Sequence, residues 1–236
     1  MFADEINSDK FTILPSISRG SNSWSSKIIY ETDPLVIQTP ALSLAFNLNE
    51  YSYPNNNKIK YSLTISLNDT VNGVESLKEV INGIDKNVQE VYKNLSKEIT
   101  YHKSIYSPKE SKYPDSFRAK LVANKTRFKC TIMINNKIVP DGIENVKKLL
   151  IKGTKASFQI QLNPIWKSNN KYGVSYQILA INIHQHVVKF RKRYTKIIRK
   201  EKPIPLQIKE KEKEYNYSNK INIKAKYSNL KPYWPN

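Results

Sequence analysis

Four cations fall at alternate positions in two neighbouring segments: Arg118 and Lys120, then Arg127 and Lys129. Alternation of that kind puts side chains on one face of a strand. Two such strands side by side would present a basic stripe at the pitch of a nucleic-acid backbone. Further along, Trp166, Lys167, Lys171 and Tyr172 share a polar stretch, with Tyr176 just beyond. Cations that track phosphates, interleaved with aromatic rings that stack on unpaired bases, are the combination single-strand binders use, each stacked base being worth about 1–3 kcal/mol. Lys189, Arg191, Lys192 and Arg193 add a dense cationic run. Phe117, Phe128 and Phe158 alternate with polar residues and are expected in the core.

Residues for catalysis are harder to find. His184 and His186 would share one strand face, but no third ligand at metal-binding spacing accompanies them. Asp69, Asp85, Asp115 and Asp141 stand apart from one another, so no paired-carboxylate site is visible. Six dispersed glycines leave no phosphate-cradling loop. The expectation is a binding protein without cofactor, metal or catalytic residues. Duplex-reading modules are equally missing: there is no zinc-finger spacing, no basic region running into heptads and no compact three-helix pattern. The aromatic strand signature of an RNA-recognition motif is absent too.

The elements that must position these residues are mostly strands. Leu42, Leu44, Phe46 and Leu48 alternate with polar or small residues, as do Tyr61, Leu63, Ile65 and Leu67. With the turn cluster of Tyr53, Pro54 and three asparagines between them, they read as a hairpin. Val74, Leu77, Ile81, Ile84, Val88, Val91 and Leu95 recur every three or four residues, an apolar stripe on one helix. Docking of that helix on a sheet is one reading and a coiled-coil face another. Period-two strands return at 117–123 and 128–134, and a short helix or connector is expected at 143–151. Residues 156–162 and 173–183 read as a last hairpin, its link being the polar stretch that carries Trp166. Six or more strands and one long amphipathic helix make a β-rich α+β chain. A small antiparallel Greek-key barrel of the oligonucleotide-binding (OB-fold) type fits the count. A two-sheet sandwich fits as well.

The chain has 236 residues, of which 39 are Lys or Arg and 20 Asp or Glu, a net charge of +19. Charge of that size strains a folded domain by self-repulsion, and a polyanion relieves it. Hydrophobic residues make up 39%, below the roughly 45–50% of an average globular chain, so a core is expected over part of the length only. Residues 184–236 hold 15 Lys and Arg against 4 Glu, more than half of the net charge with little apolar periodicity. Three regions are therefore expected: a flexible leader, 1–26; an OB-like domain, 27–186; and a basic, largely disordered tail, 187–236, helical around 187–200 at most. A competing reading packs Phe190, Tyr194, Ile197 and Ile198 as a helix on the domain or on a second copy. Cys130 stands alone, which excludes an internal disulfide and fits a reducing compartment. No stretch approaches a membrane span, and the polar N-terminus does not read as a signal peptide.

The segment Gln161-Leu162-Asn163-Pro164-Ile165-Trp166, then Lys171-Tyr172-Gly173-Val174-Ser175-Tyr176, ending Ile181-Asn182-Ile183, resembles the closing hairpin of single-stranded DNA-binding proteins from large DNA viruses, phages and cytoplasmic linear plasmids. Residues 34–48, Tyr113-Pro114-Asp115 and Phe117-Arg118-Ala119-Lys120-Leu121 are compatible with the large-virus group. The resemblance implies an OB-fold barrel that coats single strands during replication or repair, largely without regard to sequence. DNA is the expected ligand, with RNA left open. An intracellular setting follows, either a viral replication site in the host cytoplasm or the nucleus. Self-association and contacts with replication proteins are compatible with it. One departure stands out: many replicative single-strand binders end in an acidic tail, whereas this chain ends in a basic one closed by Pro232-Tyr233-Trp234-Pro235-Asn236. The alternative is a structural protein that condenses nucleic acid, for example in a virion.

Overall fold

A computed structural model describes residues 1–185, apart from 8–9, 54–55, 69, 96–97, 111 and 140–141. Lys189, Arg191, Lys192, Arg193, His186 and the expected basic tail lie outside the described residues.

After a 3-10 turn at Ala3–Glu5, three short strands come early: β1 (Phe11–Ile13), β2 (Ile17–Gly20) and β3 (Ser23–Ser26). They are followed by β4 (Ile28–Tyr30), β5 (Val36–Gln38), β6 (Leu42–Ser43), β7 (Asn49–Tyr53) and β8 (Asn56–Leu67). Helix α1 (Val74–Val91) leads to β9 (Thr100–His102), β10 (Ile105–Tyr106), β11 (Asp115–Leu121), β12 (Thr131–Ile134) and β13 (Lys137–Ile138). Helix α2 (Ile143–Leu149) precedes β14 (Lys155–Leu162), β15 (Ile165–Ser168), β16 (Lys171–Gly173) and β17 (Tyr176–Gln185). The described residues are thus mostly β-sheet with two α-helices.

The larger sheet runs β13-β12-β17-β11-β8-β7, with β10 added to β11, β14 to β17, and β5 and β6 to β14. A second sheet of five strands runs β2-β3-β15-β16-β9, and β1 pairs with β4. These ladders draw the expected small antiparallel Greek-key barrel only in part. Among the described residues no ladder closes the larger sheet, and β17 lies parallel to both β11 and β12. It enters from the second sheet, not from a hairpin with either neighbour, so nothing forces its direction to reverse. One isolated bridge, Leu44 to Ile65, links β8 to the chain just after β6.

Alternation decides the core. Leu63, Ile65 and Leu67 of β8, Phe117 and Ala119 of β11, Phe158 and Ile160 of β14, and Ile178 and Ile181 of β17 are all buried. Burial of each large side chain contributes about 1.5–3 kcal/mol. Helix α1 adds Val74, Leu77, Ile81, Ile84 and Val88 to the same core, so its stripe follows the docking reading up to Val88, while Val91 is 57% exposed. Lys78 of α1 also reaches Asp115 at the start of β11, 3.0 Å away. Among the described residues no helix is long and apolar enough to cross a membrane.

Two expectations about the first quarter of the chain need correction. Residues 42–48 do not form one strand paired with 61–67. Leu42 and Ser43 pair with β14, the chain bends at 45–47, and the hairpin partner of β8 is β7. Phe46, at the bend, is 62% exposed. The leader, in turn, is not loose throughout: β3 pairs with β15 from Ser23 to Ser26 and carries β2 on its other edge.

Candidate nucleic-acid interface

Strand register assembles the outer face of the larger sheet residue by residue. Asn49 lies opposite Ser62, Ser62 opposite Lys120, Lys120 opposite Gln177, Gln177 opposite Gln161, and Gln161 opposite Val36. The row crosses six strands. Its members are exposed or half-buried, while their neighbours along each strand, such as Leu63, Ala119, Ile178 and Leu162, are buried. One step along on the same face, Arg118 lies opposite Thr64, and on the other side Tyr51 lies opposite Lys60. None of these outward residues is acidic. Acidic side chains nearby are committed elsewhere: Glu50, which lies opposite Tyr61 on the other face, pairs with Lys147 of α2.

Lys120 is central to this face. It is exposed overall, but its ammonium is partly desolvated and donates to Ser175 Oγ at 3.0 Å. That desolvation first, and the charge of Lys60 second, push the Lys120 ammonium below the ordinary lysine value. Lys60 and Lys120 therefore repel one another here, a repulsion that an incoming phosphate would relieve.

The stretch expected to be a polar loop is a hairpin, β15–β16, in the five-stranded sheet. The alternation of a strand then separates residues read together from sequence. Trp24, Lys167, Tyr172 and Tyr101 face one side. There Tyr172 is buried, with its ring 5.0 Å from Tyr101 and 6.0 Å from Tyr92. The opposite side carries Ile17, Ser25, Trp166, Gly173 and His102 in one register row, and Ser168 and Lys171 in the next. The Trp166 indole donates its N–H to the Val174 carbonyl at 3.3 Å. Val174 and Ser175 are consecutive, so Trp166 and Lys120 fasten on adjacent residues of the link between the two sheets.

The structure brings some of the residues singled out from sequence onto one face and separates others. Arg118 and Lys120 share an exposed face. Arg127 and Lys129 are exposed at the turn that follows β11, where the Lys129 N–H donates to the Val122 carbonyl at 2.7 Å. Trp166 and Lys171 share the outer side of the second sheet. Tyr172 and Tyr176 are not available for stacking: the first is 6% exposed and the second 2%. Tyr176 is a core residue whose hydroxyl burial pushes well above the ordinary tyrosine value. Lys167 is turned to the side away from Trp166. Lys60 was missed, although it continues the outward positions 62, 64 and 66 of β8. Arg19 and His102 were missed as well. His184, considered as a metal ligand, instead places Nε2 2.9 Å from Ser157 Oγ.

Gly173 allows the Trp166 side of the sheet to close up. A Cβ there would stand 2.8 Å from the His102 carbonyl oxygen and 3.3 Å from His102 Cβ. Because the first contact is backbone, the parallel β16–β9 ladder would have to give. Gly173→Ala is expected to cost about 1–3 kcal/mol, within the range for overpacking. A melting temperature within error of the parent would show that β9 yields freely and that Trp166 is not held by this approach.

No protein-family model matches the sequence, and comparison with curated proteins finds no relative. Among solved structures, the single-stranded DNA-binding protein from bacteriophage Enc34 in complex with ssDNA is 12% identical, with a TM-score of 0.45, over 74% of this chain and 97% of that one. Gp2.5, a single-stranded DNA-binding protein encoded by bacteriophage T7, is 10% identical, with a TM-score of 0.42, over 66% of this chain and 88% of that one. The chain is similar to these phage single-stranded DNA-binding proteins.

Proposed function

We propose that this chain binds single-stranded DNA without altering it chemically, largely independently of sequence, and coats it during replication or repair. One observation carries the reading: an acid-free outer face bearing Lys60, Arg118 and Lys120 runs up to a link on which Trp166 is anchored from the other sheet. Cations take the phosphates and the aromatic side takes the bases. We read β17, β11, β8, β6 and β14 as the strands of an OB-type barrel, with the Leu44 to Ile65 bridge as its seam. Residues 187–236 add cations, Lys189, Arg191, Lys192 and Arg193 among them, that raise affinity for any nucleic acid.

The test compares labelled single strands and duplex at matched salt. Preference for the single strand is expected, with affinity falling steeply as salt rises, since each phosphate contact releases about 0.7 counterion. A slope near zero would remove the electrostatic basis. Equal affinity for both forms would favour a condensing protein over a coating one. Deleting residues 187–236 is expected to weaken both forms alike and to flatten the slope, leaving the preference intact. A large loss of thermal stability on that deletion would instead make the tail part of the fold.

A further inference from the structure

The outer side of the five-stranded sheet has a detail that the reading above does not use. Strand β2 is bulged: Ser18 pairs with Trp24 and Gly20 with Ser23, so Arg19 has no partner across the ladder. A bulge re-aims the side chain it displaces. Here it turns Arg19 onto Ser25, whose Oγ accepts from the guanidinium Nε at 3.0 Å. Ser25 is the direct cross-strand neighbour of Trp166. On the other flank, His102 lies next in the row after Gly173 and places its ring 6.1 Å from the indole, tilted by 53°. Trp166 is half-buried and its only polar atom is already satisfied by Val174. It offers a π-surface with no hydrogen-bonding demand of its own. A cation stands on one side, a second ring on the other, and Lys171 is on the same face.

We propose that Arg19, Trp166 and His102 form a base seat: one unpaired base stacks on Trp166 beside His102, while Arg19, held by Ser25, takes the adjoining phosphate. This assigns the binding surface to both sheets and gives the N-terminal strands a direct part in it. It rests on the single-strand reading above. Its chemistry is specific enough to fail separately. A ring contact needs a base, whereas a guanidinium–phosphate contact does not.

Two probes separate these parts: an oligothymidylate, and an abasic oligomer of the same length. In the full chain, Trp24→Phe with Trp234→Phe leaves Trp166 as the sole indole. Its emission is expected to be quenched by the oligothymidylate and not by the abasic oligomer. Binding is followed independently through a label on the oligomer. Trp166→Ala should weaken oligothymidylate binding about 5- to 150-fold, the equivalent of one stacked base. His102 and Arg19 are exposed, so their alanine variants should melt with the parent and keep the test clear of unfolding. His102→Ala should weaken the oligothymidylate alone, and Arg19→Ala should weaken both oligomers. Binding of the oligothymidylate without quenching, with His102→Ala and Arg19→Ala neutral, would overturn the seat and leave single-strand binding standing. No binding of any single strand would overturn both.

Discussion

Replacing Arg118 and Lys120 together by alanine is expected to weaken single-strand binding about 25-fold at ~0.1 M salt, because two phosphate contacts at about 0.7 counterion each change the salt exponent by ~1.4. The loss should shrink as salt rises and vanish near ~1 M by the same relation. Both side chains project from β11 on the outer side, while the inward Phe117 and Ala119 are untouched. Stability should therefore be kept. A slight rise is expected, since removing Lys120 ends its crowding against Lys60. The oligothymidylate and the abasic oligomer should lose equally, which separates this variant from His102→Ala. Titrations of labelled oligomer at several salt concentrations give the exponent directly. An unchanged exponent would mean that the strand does not cross β11, and the acid-free face would lose its assigned role.

How much of this was legible in the sequence depends on which residues carry the alternation. At 61–67 and 117–121 alternating apolar residues mark the inward positions, and the structure buries those same positions. The outward Arg118 and Lys120 followed from the same pattern. In β3 the residues are Ser23, Trp24, Ser25 and Ser26, and one aromatic among three serines announces no face, so the segment reads as a leader. The β15–β16 hairpin carries Trp166, Lys167, Lys171 and Tyr172 in an unbroken polar stretch. Its hydrogen bonds to β3 and β9, far away in sequence, make it a strand pair. Tyr176 lies just beyond the stretch of Trp166 to Tyr172 and is grouped with it by proximity, yet its parity with Ile178 along β17 points inward. Arg19 depends on a bulge, and no local pattern announces one.

A different buried group governs whether these two sheets stay in place. Asp85 interrupts the apolar stripe of α1 and is only 5% exposed. Its carboxylate accepts from the Tyr101 hydroxyl at 2.7 Å, the Ser104 N–H at 2.8 Å and the Ser104 hydroxyl at 2.6 Å. Tyr101 belongs to β9, the outermost strand of the second sheet, and its ring packs on Tyr172. Burial, then the Asp85 charge, push the Tyr101 hydroxyl above the ordinary tyrosine value, so it remains a donor. The Tyr176 hydroxyl lies buried nearby. One carboxylate thus ties the helix to the edge of the sheet that carries His102. Asp85→Ala leaves three donors without their acceptor, and each unsatisfied buried group costs about 1–3 kcal/mol. The removed charge had itself been expensive to bury, which offsets part of that sum. A net loss of about 3 kcal/mol is expected, or ~6–12 °C in melting temperature for a domain of this size. Asp85→Asn keeps one acceptor oxygen but turns an amide donor towards the Ser104 N–H or hydroxyl, so its loss should be smaller and still clear. Below the transition, the folded fraction of either variant should still bind single strands, because Asp85 is buried away from both outer faces. Thermal melting of the two variants beside the parent decides the matter. Unchanged melting temperatures would show that β9 is held by its ladder to β16 alone.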